Sequence, residues 1–242
     1  KPSKKEAFAG NLNHKELPVT LNTAVTVPGA PLPFIISPTG EITATTGTYT
    51  KDRIERAVKA KGYTWFENGN NSELNIVGIR NSTTGNRVSN MFDDTITVSY
   101  KEGGIWKFYQ WPCTTDPGTK GVTNFSNAAG VARLVEGQYK QAYTIGLHKG
   151  KYQALTQQRP VRIYRDANRN TFFDQNIVQQ GIFGINIHKA GADSTYVENW
   201  SEGCQVFKRI SDFEDFMQIC RKVGSIYGNS FTYTLLQSKD IP

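Results

Sequence analysis

The chain has 242 residues and a mass of 27.0 kDa, which is long enough to bury a core in one large domain or two small ones. Its net charge of +7 favours polyanionic partners, but no Lys/Arg run exceeds two residues and no basic helix is interleaved with aromatic residues, which argues against nucleic-acid binding. No stretch approaches the roughly 18 consecutive apolar residues of a membrane helix, so we expect no membrane span.

The first part of the chain predicts an extended segment and then a helix. Residues 1–50 show little periodicity and contain a proline-rich run, which is typical of extended chain. Residues 51–61 place Ile54, Ala57 and Val58 on one face of a helix. We therefore treat 1–50 as an extended N-terminal segment that precedes the first helix.

Most of the remaining chain predicts β-strands. The 12% aromatic content and the 22 glycines favour strands that are joined by tight turns. The sequence therefore predicts a mostly β (α+β) fold with a few helices. The β-rich runs lie at 74–79, 95–100, 105–111, 131–135, 142–147, 161–165, 182–188 and 231–236.

A late helix and the cysteine count complete the local predictions. Ser211 and Glu214 have the spacing of a capping box, and the apolar face that follows contains Cys220 and ends before Gly224. With Cys113 and Cys204 the chain has three cysteines, so at least one thiol is free. A Cys113–Cys220 bridge would spare Cys204, and three reduced thiols fit equally well.

One pair of residues carries chemistry. His188 ends the β-rich run, and Cys204 follows sixteen positions later (204 − 188) in the turn Ser201-Glu202-Gly203-Cys204. A thiol attacks as the thiolate, which a nearby imidazole commonly stabilises. A glycine before the cysteine leaves the thiol accessible, and backbone N–H groups of the turn are able to bind an oxyanion. This pattern predicts a cysteine nucleophile that is activated by His188.

These residues resemble the signature of the L,D-transpeptidase catalytic domain, the YkuD family. In that family a histidine precedes a Ser/Thr-x-Gly-Cys turn at about this separation, and the cysteine forms a thioester with a peptidoglycan stem peptide. The resemblance covers about residues 130–236 and implies an L,D-transpeptidase-like β-sandwich over 126–242. Residues 51–125 would then be a helix and a β-rich region of unknown role, added together with 1–50 as an N-terminal elaboration.

The resemblance also implies roles for particular residues. Cys204 would be the nucleophile and His188 its general base, with the backbone carbonyl of Lys189 orienting the imidazole. Ser201 would support the turn, and the amides of Gly203 and Cys204 would be candidates for the oxyanion hole.

Further substrate-binding candidates flank this pair. Glu202 stands where many members of the family carry His or Lys, and Gln205 stands where they carry an apolar residue. His148 ends another β-like run before a glycine, from where it would line the same cleft. Together with Ser201 these residues are the candidate substrate contacts. Because no close-spaced ligand pair accompanies them, we expect no metal and no cofactor.

The sequence therefore predicts a secreted or periplasmic cysteine acyltransferase of the cell envelope, with peptidoglycan stem peptides as its partner. Three alternatives stay open. In the first two, the acyl group passes either to an amine, which gives a transpeptidase, or to water, which gives an L,D-carboxypeptidase or endopeptidase. The third is a non-catalytic cell-wall-binding protein on the same fold. The sequence does not fix the oligomeric state.

Overall fold

Thirteen strands and three α-helices make up the described part of the chain. The computed structural model describes residues 34–36, 42–44 and 49–242, so most of the predicted extended segment 1–50 lies outside the described residues. The helices are α1 (Lys51–Ala60), α2 (Thr119–Thr123) and α3 (Ile210–Tyr227). The strands are β1 (Phe34–Ile36), β2 (Ile42–Ala44), β3 (Asn75–Arg80), β4 (Asp94–Glu102), β5 (Ile105–Thr114), β6 (Val131–Leu134), β7 (Gly137–His148), β8 (Tyr152–Gln157), β9 (Val161–Asp166), β10 (Ile177–Gly181), β11 (Ile187–Lys189), β12 (Gln205–Phe207) and β13 (Phe231–Gln237).

Eight of these strands close into a mixed β-barrel. The order around it is β5-β12-β11-β8-β7-β13-β3-β4, and β4 pairs back onto β5. Closure leaves no exposed sheet edge along these eight strands. The prediction of a mostly β fold with a few helices is confirmed. The main sheet closes on itself, however, where two stacked sheets of a sandwich were expected.

Both parts of the chain after residue 50 contribute strands to this barrel. Strands β3 to β5 come from 51–125, and the other five come from 126–242. The two parts meet where β13 pairs in parallel with β3 and where β12 pairs antiparallel with β5. The hairpin of β1 and β2 extends the sheet from β5, because β2 pairs in parallel with that strand.

A second sheet of three strands lies beside the barrel. It has the order β10-β9-β6, with antiparallel pairing throughout. Its strand β6 also contacts the turn that precedes β12, since the N–H of Ala132 donates to the carbonyl of Glu202 at 3.2 Å. This small sheet therefore supports one side of the predicted site.

The predicted strand at 182–188 forms only at its end, where β11 begins. Gly184 has a φ of 72°, a left-handed conformation that interrupts an extended strand. The side chain of Gln157 replaces strand-to-strand hydrogen bonds here, because its Oε1 accepts the N–H groups of Phe183 and Ile185, each at 3.0 Å. The interruption turns this stretch away from the barrel and along the cleft described below.

The late helix α3 begins and ends at residues other than the predicted ones. Its N-cap is Arg209, and Ser211 lies within its first turn, where its hydroxyl donates to Asp212 and caps no backbone N–H. The helix also runs past Gly224 to Tyr227. A Cβ on Gly224 would lie 3.1 Å from the ring of Phe231, so this glycine allows close packing and does not end the helix.

All three cysteines are unpaired, so the alternative of a Cys113–Cys220 disulfide is not found. Cys113 lies on β5 and Cys220 on α3, and both are buried in the main core. Burial raises the pKa of each of these two thiols. Cys204 is the partly exposed one of the three.

A buried charge cluster joins β3 to the loops near the site. Arg80, which is 1% exposed, places its Nε 2.8 Å from Asp116 and its Nη1 2.9 Å from Glu136. Arg133 also binds Asp116, with two contacts of 2.8 Å. Burial favours a protonated Asp116, but the two guanidinium groups outweigh it and lower the pKa of this carboxyl group.

Removing Arg80 should destabilise the fold strongly. The Arg80→Met variant leaves the carboxylates of Asp116 and Glu136 without their central partner, at a cost of about 3–5 kcal/mol in the free energy of unfolding. The matched control is Lys222→Ala, because Lys222 pairs with Glu102 where both side chains are well exposed, and we expect a loss within about 1 kcal/mol. Urea denaturation measures both, and equal losses would contradict this view of the cluster.

Candidate active site

Parallel pairing of two short strands brings the predicted residues together. Strand β11 pairs in parallel with β12, with His188 opposite Val206. Both strands therefore begin at the same edge of the barrel, and Cys204 directly precedes β12 at that edge. The N–H of Gln205 donates to the carbonyl of Asn186 at 2.9 Å and fixes this register. A loop of fifteen residues, 190–204, connects the two strands on the outside.

Hydrogen bonds within the turn hold Cys204 in place. The hydroxyl of Ser201 accepts the N–H of Gly203 at 3.1 Å and donates to the carbonyl of Cys204 at 2.8 Å. Gly203 has a φ of 128°, and a Cβ there would lie 2.6 Å from the carbonyl oxygen of Ala132. Only glycine fits this position, because both the backbone conformation and the neighbouring strand exclude a side chain.

The thiol of Cys204 is neutral in this arrangement. Its Sγ donates to the carbonyl of Gly184 and accepts the N–H of Asn186, each at 3.4 Å. Burial and, to a smaller extent, the charge of Glu202 raise the pKa of Cys204, and the N–H of Asn186 with the charge of Lys149 offsets only part of that effect. The expected stabilised thiolate is therefore absent at rest, and attack by this thiol needs a base that removes its proton during the reaction.

The sequence predicts His188 as that base, and its imidazole lines the same cleft without a hydrogen bond to the Cys204 thiol among the described residues. Nδ1 of His188 lies 3.0 Å from the carbonyl oxygen of Lys189, the contact that the family resemblance implies. A carbonyl only accepts, so the proton lies on Nδ1 and the lone pair of Nε2 is available. Burial and the neighbouring His148 lower the pKa of His188 to about 3, against a smaller opposite effect of the Lys189 carbonyl. The imidazole is thus uncharged at neutral pH.

His148 stacks on His188. The two ring centroids are 4.1 Å apart and the planes are inclined by 21°. The side-chain amide of Asn186 donates to Nδ1 of His148 at 3.0 Å, so the proton of a neutral His148 lies on Nε2. Burial and the charge of Lys149 lower the pKa of His148. Two uncharged rings therefore lie face to face beneath the cleft.

Asn186 organises this group, and the sequence reasoning did not single it out. Besides its amide contact to His148 and its N–H contact to Cys204, it accepts the N–H of Gln157 on Oδ1 at 2.9 Å. That bond fixes which end of the amide faces His148. The signal for this role was its position two residues before His188, where alternation along a strand puts both side chains on one face.

The predicted residues fall into two groups in space. Four of them, Cys204, His188, His148 and Glu202, line one cleft of about 370 Å³ together with the unpredicted Lys149 and Arg165. Ser201, Gly203 and Gln205 lie behind it. Lys189 contributes its backbone carbonyl to His188, and its ammonium group lies 5.1 Å from the ring of Tyr152.

Gln205 and Ser201 are not placed to touch a substrate. Gln205 is fully buried, where its Oε1 accepts the hydroxyl of Tyr233 at 2.9 Å and its Nε2 donates to Gly203 at 3.3 Å. Ser201 is 1% exposed and bonds within the turn. Ser201 in the turn therefore bonds to the backbone of Gly203 and Cys204, and Gln205 on β12 bonds to that of Gly203.

Among the described residues, no three His, Cys, Asp or Glu side chains are grouped in a way that would hold a metal ion. Likewise, none of the described helices combines the length and the apolar character needed to cross a membrane.

No protein-family model matches the chain, and no curated protein or solved structure matches it significantly.

The stacked histidines predict an unusual titration. Because burial and His148 disfavour the charged form of His188, we expect its Cε1 signal in NMR to stay constant from pH 8 to pH 5. In a His148→Gln variant the pKa of His188 should rise towards the ordinary value of about 6.5. A folded-state pKa below the unfolded value also means that this contribution to stability is present above pH 6.5 and is lost as the pH falls towards 3.

The control for this titration is Tyr152→Phe, which removes only the hydroxyl 3.4 Å from Nδ1 of His188 and keeps both stacked rings. This variant should leave His188 uncharged at pH 5. A His188→Gln variant assigns the signal. Titration of His188 near pH 6.5 in the wild-type protein would contradict the proposed environment.

Proposed function

We propose that this protein is a cysteine acyl-transfer enzyme that acts on peptidoglycan stem peptides in the manner of L,D-transpeptidases. The observation that carries the proposal is that Cys204 and His188 line one cleft, with Nδ1 of His188 bound to the Lys189 carbonyl. The Ser201 turn that holds Cys204 supports it as well. In this proposal the eight-stranded barrel takes the place of the sandwich expected for the family.

The proposed reaction begins from a neutral pair. In the proposed first step the Cys204 side chain leaves the Gly184 carbonyl and comes into contact with Nε2 of His188, which takes the thiol proton as Sγ attacks the carbonyl carbon of an amide. The tetrahedral intermediate collapses to a thioester, and the amine leaves with the proton from His188. An incoming amine or water then gives its proton to His188 and attacks the thioester. The free thiol is regenerated at the end.

The backbone N–H of Cys204 is the donor that we assign to the developing oxyanion. The N–H of Gly203, the other candidate, already donates to the Ser201 hydroxyl. Within the described part of the chain the N–H of Cys204 has no hydrogen-bond partner. An unpaired N–H beside the nucleophile stabilises negative charge most where water is excluded.

The setting proposed for this reaction is the cell envelope, outside the cytoplasm, because the stem peptides are there. The two fates of the thioester depend on the acceptor. An amine from a second stem gives a cross-link, and water gives carboxypeptidase or endopeptidase hydrolysis. Both outcomes use the same acyl-enzyme, so detection of that intermediate is the first test.

Intact-mass spectrometry after incubation with purified muropeptides or a carbapenem-type acylating agent tests the proposal. We expect an adduct of the acyl mass on Cys204, and its complete loss in Cys204→Ala. The matched control is Cys220→Ala, which removes a fully buried thiol and should keep the adduct. Unchanged muropeptide turnover by Cys204→Ala would contradict the assignment. Wall binding without an adduct would indicate the non-catalytic alternative.

A further inference from the structure

Two cationic side chains line the cleft without an acidic partner among the described residues. Lys149 and Arg165 both line it beside Cys204. Arg165 binds only neutral groups, with Nε 3.1 Å from Gln179 Oε1 and Nη1 2.9 Å from the carbonyl of Gly130. Desolvation lowers the pKa of Arg165, with no carboxylate to oppose it. Arginine is seldom left this way on a partly buried wall unless an anion completes its surroundings.

The acidic residue of the cleft does not neutralise these cations. Glu202 lines the same cavity, but its Oε2 accepts the N–H of Ser126 at 3.2 Å and the hydroxyl of Ser126 at 2.7 Å. The two histidines, which are the other titratable groups that line the cleft with Cys204, are uncharged at neutral pH. The cleft therefore has two cations and one carboxylate, which is hydrogen-bonded to Ser126 and whose charge also raises the pKa of Cys204.

The backbone fixes Lys149 at the edge of the cleft. It lies in the tight turn between β7 and β8, where Lys149 has a φ of 49° and Gly150 a φ of 70°, and the N–H of Lys151 donates to the carbonyl of His148 at 2.9 Å. The left-handed region favours glycine, so a lysine at this position is an unfavourable choice for the turn alone. Its charge acts on Cys204, His148 and His188, which places it electrostatically next to the reacting atoms.

We propose that Lys149 and Arg165 form an anion subsite beside Cys204 that binds a carboxylate of the substrate. If the proposed function holds, on which this extension rests, the acyl donor is a peptide with a free carboxylate near the amide that Cys204 attacks. The cations would orient the donor and draw it into the cleft, because a positively charged cleft concentrates anionic ligands. Glu202 is hydrogen-bonded to Ser126 and, among the described residues, forms no ion pair with either cation, so both cations are available to a substrate carboxylate.

Alkylation of Cys204 by iodoacetate and by iodoacetamide tests the subsite without any peptide. The thiolate displaces iodide from both reagents, and only iodoacetate carries a carboxylate next to the reacting carbon. The rate constant for iodoacetate is divided by that for iodoacetamide at Cys204, and this ratio is divided by the same ratio for a free cysteine peptide. Changes in the pKa of the thiol affect both reagents equally and cancel in this normalised ratio. Cys113 and Cys220 are buried, and peptide mass spectrometry resolves the Cys204 product.

We expect the normalised ratio to exceed one in the wild-type protein and to fall about fivefold in Lys149→Gln and in Arg165→Gln. The matched control is Lys151→Gln, which removes an equally exposed charge from the same turn that does not line the cleft. Thermal melting shows that each variant is folded. An unchanged ratio in Lys149→Gln, or an equal fall in Lys151→Gln, would overturn the subsite.

Peptides then separate this inference from the proposed function. Stem tetrapeptides with free carboxylates and their carboxamide forms are compared as acyl donors, and Lys149→Gln should reduce acylation by the carboxylate form alone. A charge-dependent alkylation ratio with no acylation by either peptide keeps the subsite and rejects the acyltransferase. Acylation with a charge-independent ratio keeps the enzyme and rejects the subsite.

Discussion

The parallel pairing of β11 with β12 is the constraint on which the rest of the site depends. Three residues in each strand set the register, and the bond from the N–H of Gln205 to the carbonyl of Asn186 fixes it at the edge of the barrel. A shift by one residue would turn His188 to the other face of the sheet. Neighbours on both sides are continuous barrel strands, β8 and β5, which keep this short pair in place.

The buried charge cluster and the turn Ser201-Glu202-Gly203-Cys204 are parts of one packed region. The N–H of Gly118, two residues after Asp116, donates to the carbonyl of Ser201 at 3.0 Å. A Cβ on Gly121 would lie 2.3 Å from that same carbonyl oxygen, so α2 packs directly on the turn. Arg133 follows Ala132 on β6, the strand that contacts Gly203 from the other side. The ion pairs thus stabilise the two elements that pack against the turn of Cys204, namely α2 with its preceding loop and β6.

Local patterns in the sequence predicted most elements and two residues that line one cleft, His188 and Cys204, and long-range contacts explain what was missed. The strand runs and α1 follow from side-chain periodicity, whereas barrel closure depends on pairings such as β4 with β5 and β13 with β3. In the sequence Gly224 is typical of a helix end, but in the structure it lies within α3 and allows the ring of Phe231 to pack closely. Gln205 was a candidate substrate contact because it stands where the family it resembles carries an apolar residue, but Tyr233 on a distant strand binds it in the interior.

We propose that an uncharged His188 removes the proton of a neutral Cys204 during attack. Single-turnover acylation by a purified stem tetrapeptide, followed by mass spectrometry at successive times, measures this step in the wild-type protein and in His188→Asn. The account predicts that acylation slows by about 10²- to 10⁴-fold in the variant, while alkylation of Cys204 by iodoacetamide continues. Equal acylation rates in the two proteins would contradict the account.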